Sequence, residues 1–220
     1  MPPFTIRPAT PCKDDGLRLI RNFDSQLPWL AATGSGDQWG SEPRSTNPKT
    51  LAKYRGKVEK SSSSADEPWT NESTRSWVVE VTVPRSELEG SAVAILGDEG
   101  VEGEGEDGLV TIPVAGVVLE GKAVEYIGPV MPVQDEKDPF VFVKYLLTDR
   151  RAGDLAKGAG AFALRYAVER ARELGFKRVV LDCWSGNGGK LAGFYEKQGF
   201  TKVGDFQAEH WSGTVLEMRL

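Results

Sequence analysis

Between Pro139 and Phe200 the chain runs strand, glycine turn, helix, strand, helix and strand with little in between. Phe140 to Leu147 (FVFVKYLL) is dense in β-branched and aromatic residues, as a buried strand requires. A polar loop leads to Gly158-Ala159-Gly160. Ala161, Leu164, Val168, Ala171 and Leu174 then recur at helical spacing, with Arg165, Glu169, Arg170 and Arg172 on the other faces. Gly175 is placed to end that helix. Arg178 to Cys183 (RVVLDC) reads as a second strand and Leu191 to Gln198 as a second helix, and Gly199-Phe200 enters a third strand.

A glycine pair at the mouth of a helix has two readings. It can make a tight turn or a close helix–strand contact. It can also let a phosphate reach the first backbone N–H groups, which lack partners inside the helix and carry partial positive charge. The glycines alone do not choose between them.

The downstream residues do. Leu181-Asp182-Cys183-Trp184, Asn187 and the run Phe194-Tyr195-Glu196-Lys197-Gln198-Gly199-Phe200 follow the glycines in order, and with them the chain resembles the GNAT superfamily of N-acetyltransferases. The firm resemblance covers about residues 139–220. It implies an α/β (α+β) fold, with a mixed, mostly antiparallel central sheet flanked by helices on both faces. It implies acetyl-CoA as co-substrate and a primary amine, on a small molecule or a peptide, as acceptor in a ternary complex. Residue by residue, it puts Lys157, Gly158, Ala159, Gly160 and Ala161 at the pyrophosphate, and the backbone of Leu146, Leu147 and Thr148 along the pantetheine arm. Asn187 falls beside that arm, and Tyr195 near the sulfur as general acid. The chain departs from the pattern at Leu155, where the family has Gln or Arg; Arg150, Arg151 and Lys157 keep the loop basic. The general base stays open among Asp37, Glu80, Glu120, Asp182 and His210.

Upstream, Phe4 to Arg7 alternates as a strand, and Asp14-Asp15 open a helix to about Ser25. Trp29, Asp37, Gln38 and Trp39 lie in or beside a glycine-containing loop, and they are either an acceptor wall or a cap on the core. Pro48 to Lys60 suits a basic helix with Leu51, Tyr54 and Val58 on one face. A mobile insertion is expected over 60–75, where Ser61 to Ser64 is low in complexity, and a solvated acidic loop over 97–108. Trp77–Val83, Ala92–Leu96, Val110–Leu119 and Ala123–Ile127 read as strands, with Pro113 marking an edge or bulge. Thr201–Phe206 and Thr214–Leu220 are the last strands, joined by a turn at His210-Trp211.

The 220 residues suit a single domain, 1–220. A net charge of −5 argues against nucleic acid, and no segment reaches the run of about 20 apolar residues that spans a membrane. Cys12 and Cys183 form no metal-type pair, so no metal is expected. Free thiols and an N-terminus without a signal-type apolar run make the cytoplasm the expected location. The resemblance leaves room for a homodimer through an edge strand. Two alternatives stand beside the acetyltransferase. One is a GNAT-like CoA-binding module with altered catalysis. The other is a dinucleotide-dependent oxidoreductase, since Gly158 to Ala163 is G-x-G-x-x-A. About ten residues separate strand and glycines, and only 38 follow Asp182, both against a doubly wound sheet.

Overall fold

The computed structural model of the protein describes residues 4–35, 39–98, 101, 108–131 and 134–220. The chain passes through β1 (Phe4–Pro8), α1 (Asp15–Asp24), α2 (Leu27–Ala32), α3 (Pro48–Ser63), β2 (Thr74–Pro84), β3 (Leu109–Glu120) and β4 (Phe140–Thr148). It continues through α4 (Ala159–Glu173), β5 (Arg178–Trp184), α5 (Lys190–Lys197), β6 (Thr201–Gln207) and β7 (Ser212–Arg219). The strands form one seven-stranded sheet in the order β1-β2-β3-β4-β5-β7-β6. Every neighbouring pair is antiparallel except β4 and β5. A doubly wound parallel sheet is therefore excluded, and the dinucleotide reading with it.

The strands bury apolar side chains on both faces of the sheet, in three clusters among the described residues. Val79, Val117, Leu119, Val141, Val179 and Leu181 lie under α4, which buries Ala159, Ala163, Leu164, Ala167, Val168 and Ala171. Leu174, expected on that face, is the C-cap residue and is exposed. On the opposite face Val78 and Val118 meet Leu19, Ile20 and Phe23 of α1 and Tyr54 and Val58 of α3.

Four segments differ from the sequence reading. Leu27 to Ala32 is a helix, begun by Pro28, whose missing N–H costs nothing in a first turn. Ala92–Leu96 lies within a 3₁₀ stretch, Gly90–Gly97, which buries Ala92 and Ile95 three residues apart. Ala123–Ile127 is not a strand but turns through Glu125–Ile127 to bury Ile127. In both, the apolar residues fill a core from a turn rather than from a ladder. The segment 60–75 is partly regular structure: α3 runs to Ser63, β2 begins at Thr74, and buried Ser61 accepts a bond from Ser76 N through Oγ at 2.8 Å. Most of the expected acidic loop 97–108 lies outside the described residues. Asp98, inside them, is buried and paired with Arg21 at 2.6 Å and Arg151 at 2.9 Å.

Candidate functional site

The parallel pair β4–β5 holds together for three residues only: Phe140, Val141 and Phe142 face Arg178, Val179 and Val180. Beyond Phe142 the two strands part. The backbone of β4 from Val143 to Thr148 has β3 on one side and no described strand on the other. Burial follows: Phe140 to Val143 are buried, and Lys144 to Thr148 are partly exposed. Alternate residues of β4 face this open edge: Leu147 is turned to Gly116 of β3, Leu146 faces the opening, and the Thr148 carbonyl there accepts a bond from Gln26 Nε2 at 2.5 Å.

A β-bulge sits at the mouth of the opening. Val118 faces Tyr145 but Leu119 faces Val143, leaving Lys144 as the extra residue. A bulge turns two successive side chains toward one face. Tyr145 accordingly stacks on Tyr54 of α3, with ring centres 5.0 Å apart. Lys144 lies 5.7 Å from the Tyr145 ring, and its electrostatic neighbours are Glu120, Lys57, Asp182 and Lys53.

Helix α4 opens at the far end of β4. Gly158 is its N-cap residue with φ +92°, a left-handed conformation that glycine tolerates best. A Cβ on Gly160 would lie 3.3 Å from Thr148 Cγ2, so helix and strand approach closely there. The N–H groups of Ala159, Gly160 and Ala161 find no acceptor among the described residues; the first intrahelical bond is Phe162 N to Gly158 O at 3.0 Å. Gly158 is exposed, Gly160 and Ala161 are half-buried and Ala159 is buried. Turn and close contact thus coexist with an anion-binding geometry.

The basic loop before α4 divides its cations. Arg151 is held by Asp149 at 2.6 Å and Asp98 at 2.9 Å, and these carboxylates raise its pKa against the opposing effect of burial. Arg150 lies 4.2 Å over the Trp29 ring and donates to Gln26 Oε1 at 2.5 Å. Lys157 is exposed beside the helix mouth. Leu155 packs against the core under α4, so apolar burial anchors the loop at the family's polar position.

Asn187 follows β5 in a left-handed conformation (φ +51°), which asparagine tolerates. Tyr195 is buried, with its ring centre 5.1 Å from Phe194 and 6.0 Å from Phe200. Its hydroxyl has no hydrogen-bond partner among the described residues, and burial raises its pKa. Burial likewise pushes the Cys183 thiol up to about 12, which leaves it inert.

The described candidates for the base separate cleanly. Glu80 is tied to Arg7 at 2.8 Å, Glu120 to Lys57, and His210 is exposed in a turn beside Glu209. Asp182 stands two residues past the last β4–β5 pair, on the face away from Val179 and Leu181. Its Oδ2 accepts the Tyr126 hydroxyl at 3.0 Å. Burial raises the Asp182 pKa, while Tyr126 and Lys144 pull it down. Tyr126 is held by Phe206 at 5.5 Å and Trp211 at 5.6 Å between ring centres. Sequence reasoning missed Tyr126, which lay inside a segment read as a strand, and Lys144, whose bulge leaves no composition signal.

Of the aromatic loop, Trp39 packs on Phe23 at 5.1 Å and Trp29 under Arg150, while Asp37 and Gln38 lie outside the described residues. Among the described residues no three His, Cys, Asp or Glu side chains are grouped to hold a metal ion, and no helix is long and apolar enough to cross a membrane.

Residues 103–200 match the family model described as Acetyltransferase (GNAT) family, a span that includes β3, β4, α4, β5 and α5. Across those residues the chain is similar to GNAT acetyltransferases, and that similarity supports an acyltransferase. The fold is similar to that of a GNAT-family protein from Desulfovibrio desulfuricans (TM-score 0.56, 10% identity, 99% of each chain). It is also similar to yncA of Salmonella typhimurium, solved with its cofactor acetyl-CoA (TM-score 0.51, 15% identity, 99% of this chain and 94% of that one). A third is the GNAT acetyltransferase of Streptococcus pneumoniae (TM-score 0.51, 13% identity, 99% and 100%). No curated protein sequence matches the chain.

Proposed function

We propose that this GNAT-like domain transfers an acetyl group from acetyl-CoA to a primary amine. The observation that carries the reading is the separation of β4 from β5 after Phe142, with the open N-terminus of α4 at the end of the exposed β4 edge. An extended pantetheine arm suits an unpaired strand edge, and a pyrophosphate suits unpartnered helix N–H groups.

In this reading the N–H groups of Gly158, Ala159, Gly160 and Ala161 bind the pyrophosphate, with Lys157 adding charge. Leu146 holds the arm through its backbone, with Leu147 paired to β3 beside it, Thr148 at the α4 end and Asn187 on the β5 side. A β4 backbone N–H polarises the thioester carbonyl. Asp182 takes a proton from the amine through Oδ1, its Oδ2 being fixed by Tyr126. The amine nitrogen bonds to the carbonyl carbon, the C–S bond breaks, and Tyr195 gives its hydroxyl proton to the leaving sulfur. Burial suits both groups: it raises a carboxyl toward base strength and keeps a phenol protonated. Trp29 offers an aromatic wall near the end of β4.

Leu155, packed in the core, supports a second reading in which the fold binds CoA without turnover. A thermal melt with acetyl-CoA, CoA, NAD and NADP tests both. A native-state ligand at a hundredfold excess over Kd adds about 2.7 kcal/mol of stability. A shift with acetyl-CoA together with amine-dependent CoA release supports transfer. A shift without release with any amine supports the binding module, and a shift with NAD alone overturns both.

A further inference from the structure

A groove of about 790 Å³ lies between α3 and the segment joining β3 to β4. Its walls carry Lys53, Lys57 and Lys60 from α3, then Glu120, Lys122 and Tyr126 from the facing segment; Glu72 and Glu125 also line it. One end is Tyr126, whose hydroxyl reaches Asp182 beside the β4–β5 opening. The groove therefore leads to the atoms proposed to react, from the face opposite α4.

Its charges are unevenly matched. Lys57 and Glu120 satisfy each other. Lys53, Lys60, Lys122 and Lys144 form no ion pair among the described residues. Lys144, half-buried on the neighbouring bulge outside the groove lining, has Glu120 and Asp182 as opposite-charged and Lys57 and Lys53 as like-charged neighbours, and desolvation is the chief cause that lowers its pKa. Beyond the Lys57–Glu120 pair the lining holds exposed Lys53, Lys60 and Lys122 against Glu72 and Glu125, so one cation is left over for an anion to meet. A chain with a net charge of −5 has no general excess of cations to place there. A polyamine would meet the same lysines unfavourably.

Resting on the acetyl-transfer reading, we infer that the acceptor is an amine that also carries an anionic group, a carboxylate or a phosphate, held in this groove near Lys53 and Lys144 while its amine reaches Asp182. Lys53 acts as a positioning residue.

The test uses the full chain and two measurements. A melt with acetyl-CoA first shows whether the co-substrate binds. CoA release is then followed with matched amines: L-tyrosine against tyramine, L-lysine against 1,5-diaminopentane, and O-phosphoethanolamine against ethanolamine. The expected result is at least a tenfold higher kcat/KM for the anionic member of one or more pairs. The amino-acid pairs report a carboxylate and the third pair a phosphate. Lys53→Ala is expected to raise KM for the anionic member at least fivefold, with kcat nearly unchanged and the neutral member unaffected. An acetyl-CoA shift with equal or better turnover of the neutral amines, or with no anionic amine turned over, overturns the inference while leaving the co-substrate reading intact. No acetyl-CoA shift overturns both.

Discussion

The Tyr126 hydroxyl donates to Asp182 Oδ2 at 3.0 Å, tying the β3–β4 connection to β5 just past the point where β4 and β5 separate. This bond favours the charged carboxylate, as does nearby Lys144, while burial opposes it and prevails. Asp182 therefore ionises only as pH rises through a value above the usual carboxylate range, and the proposed base role requires that ionised form. The acid limb of the kcat/KM profile is expected at that raised value. Tyr126→Phe moves the limb to higher pH, because a bond that stabilised the charged form is gone. Asp182→Asn abolishes the limb and most of the activity. An unmoved limb in both variants assigns it to another group.

Tyr195→Phe removes the proposed proton donor and leaves the buried ring. Turnover is expected to fall by about ten- to a thousandfold with acetyl-CoA affinity nearly intact. Steady-state kinetics and calorimetric binding separate the two effects. Unchanged kcat removes the hydroxyl from the reaction.

Gly158→Glu places a side chain and a negative charge at the mouth of α4, in a left-handed conformation costing about 1–2 kcal/mol for a non-glycine residue. Acetyl-CoA affinity is expected to fall at least tenfold, with the far-ultraviolet circular dichroism preserved. Gly158→Ala controls for backbone strain, carrying the conformational cost without the charge. Undiminished affinity in a folded Gly158→Glu protein puts the phosphates elsewhere.

Arg151 bridges Asp149 and Asp98, whose side chains are almost wholly buried. Arg151→Ala strands the Asp149 carboxylate without its cation, a change expected to destabilise the fold by about 3 kcal/mol, measured by urea unfolding. Loss of less than about 1 kcal/mol shows that solvent or Arg21 compensates.

Much of residues 139–200 was legible because its signals are local. The apolar run of β4, the helical spacing of α4 and the stop at Gly175 each depend on neighbours within a few residues. The same reasoning failed at Ala92–Leu96 and Ala123–Ile127. Short apolar runs there fill a core from 3₁₀ turns, and nothing in a few residues distinguishes that from a strand. It also missed the continuation of α3 through its serines, because Ser61 is fixed by a partner fifteen positions away in β2.

By itself, the sequence determined the order of the elements from β4 to β6, the glycine entry to α4 and the run Phe194 to Phe200, all written in contiguous residues. Only the tertiary structure decided where β4 and β5 part, that the bulge turns Lys144 toward α3, and that Asp182, among the described candidates for the base, stands beside the opening. Those facts depend on strand register and on contacts such as Tyr126 with Asp182, 56 positions apart, and Lys57 with Glu120, 63 apart. Register and splay arise when distant segments compete for one packing arrangement, and no local pattern of residue types encodes that outcome.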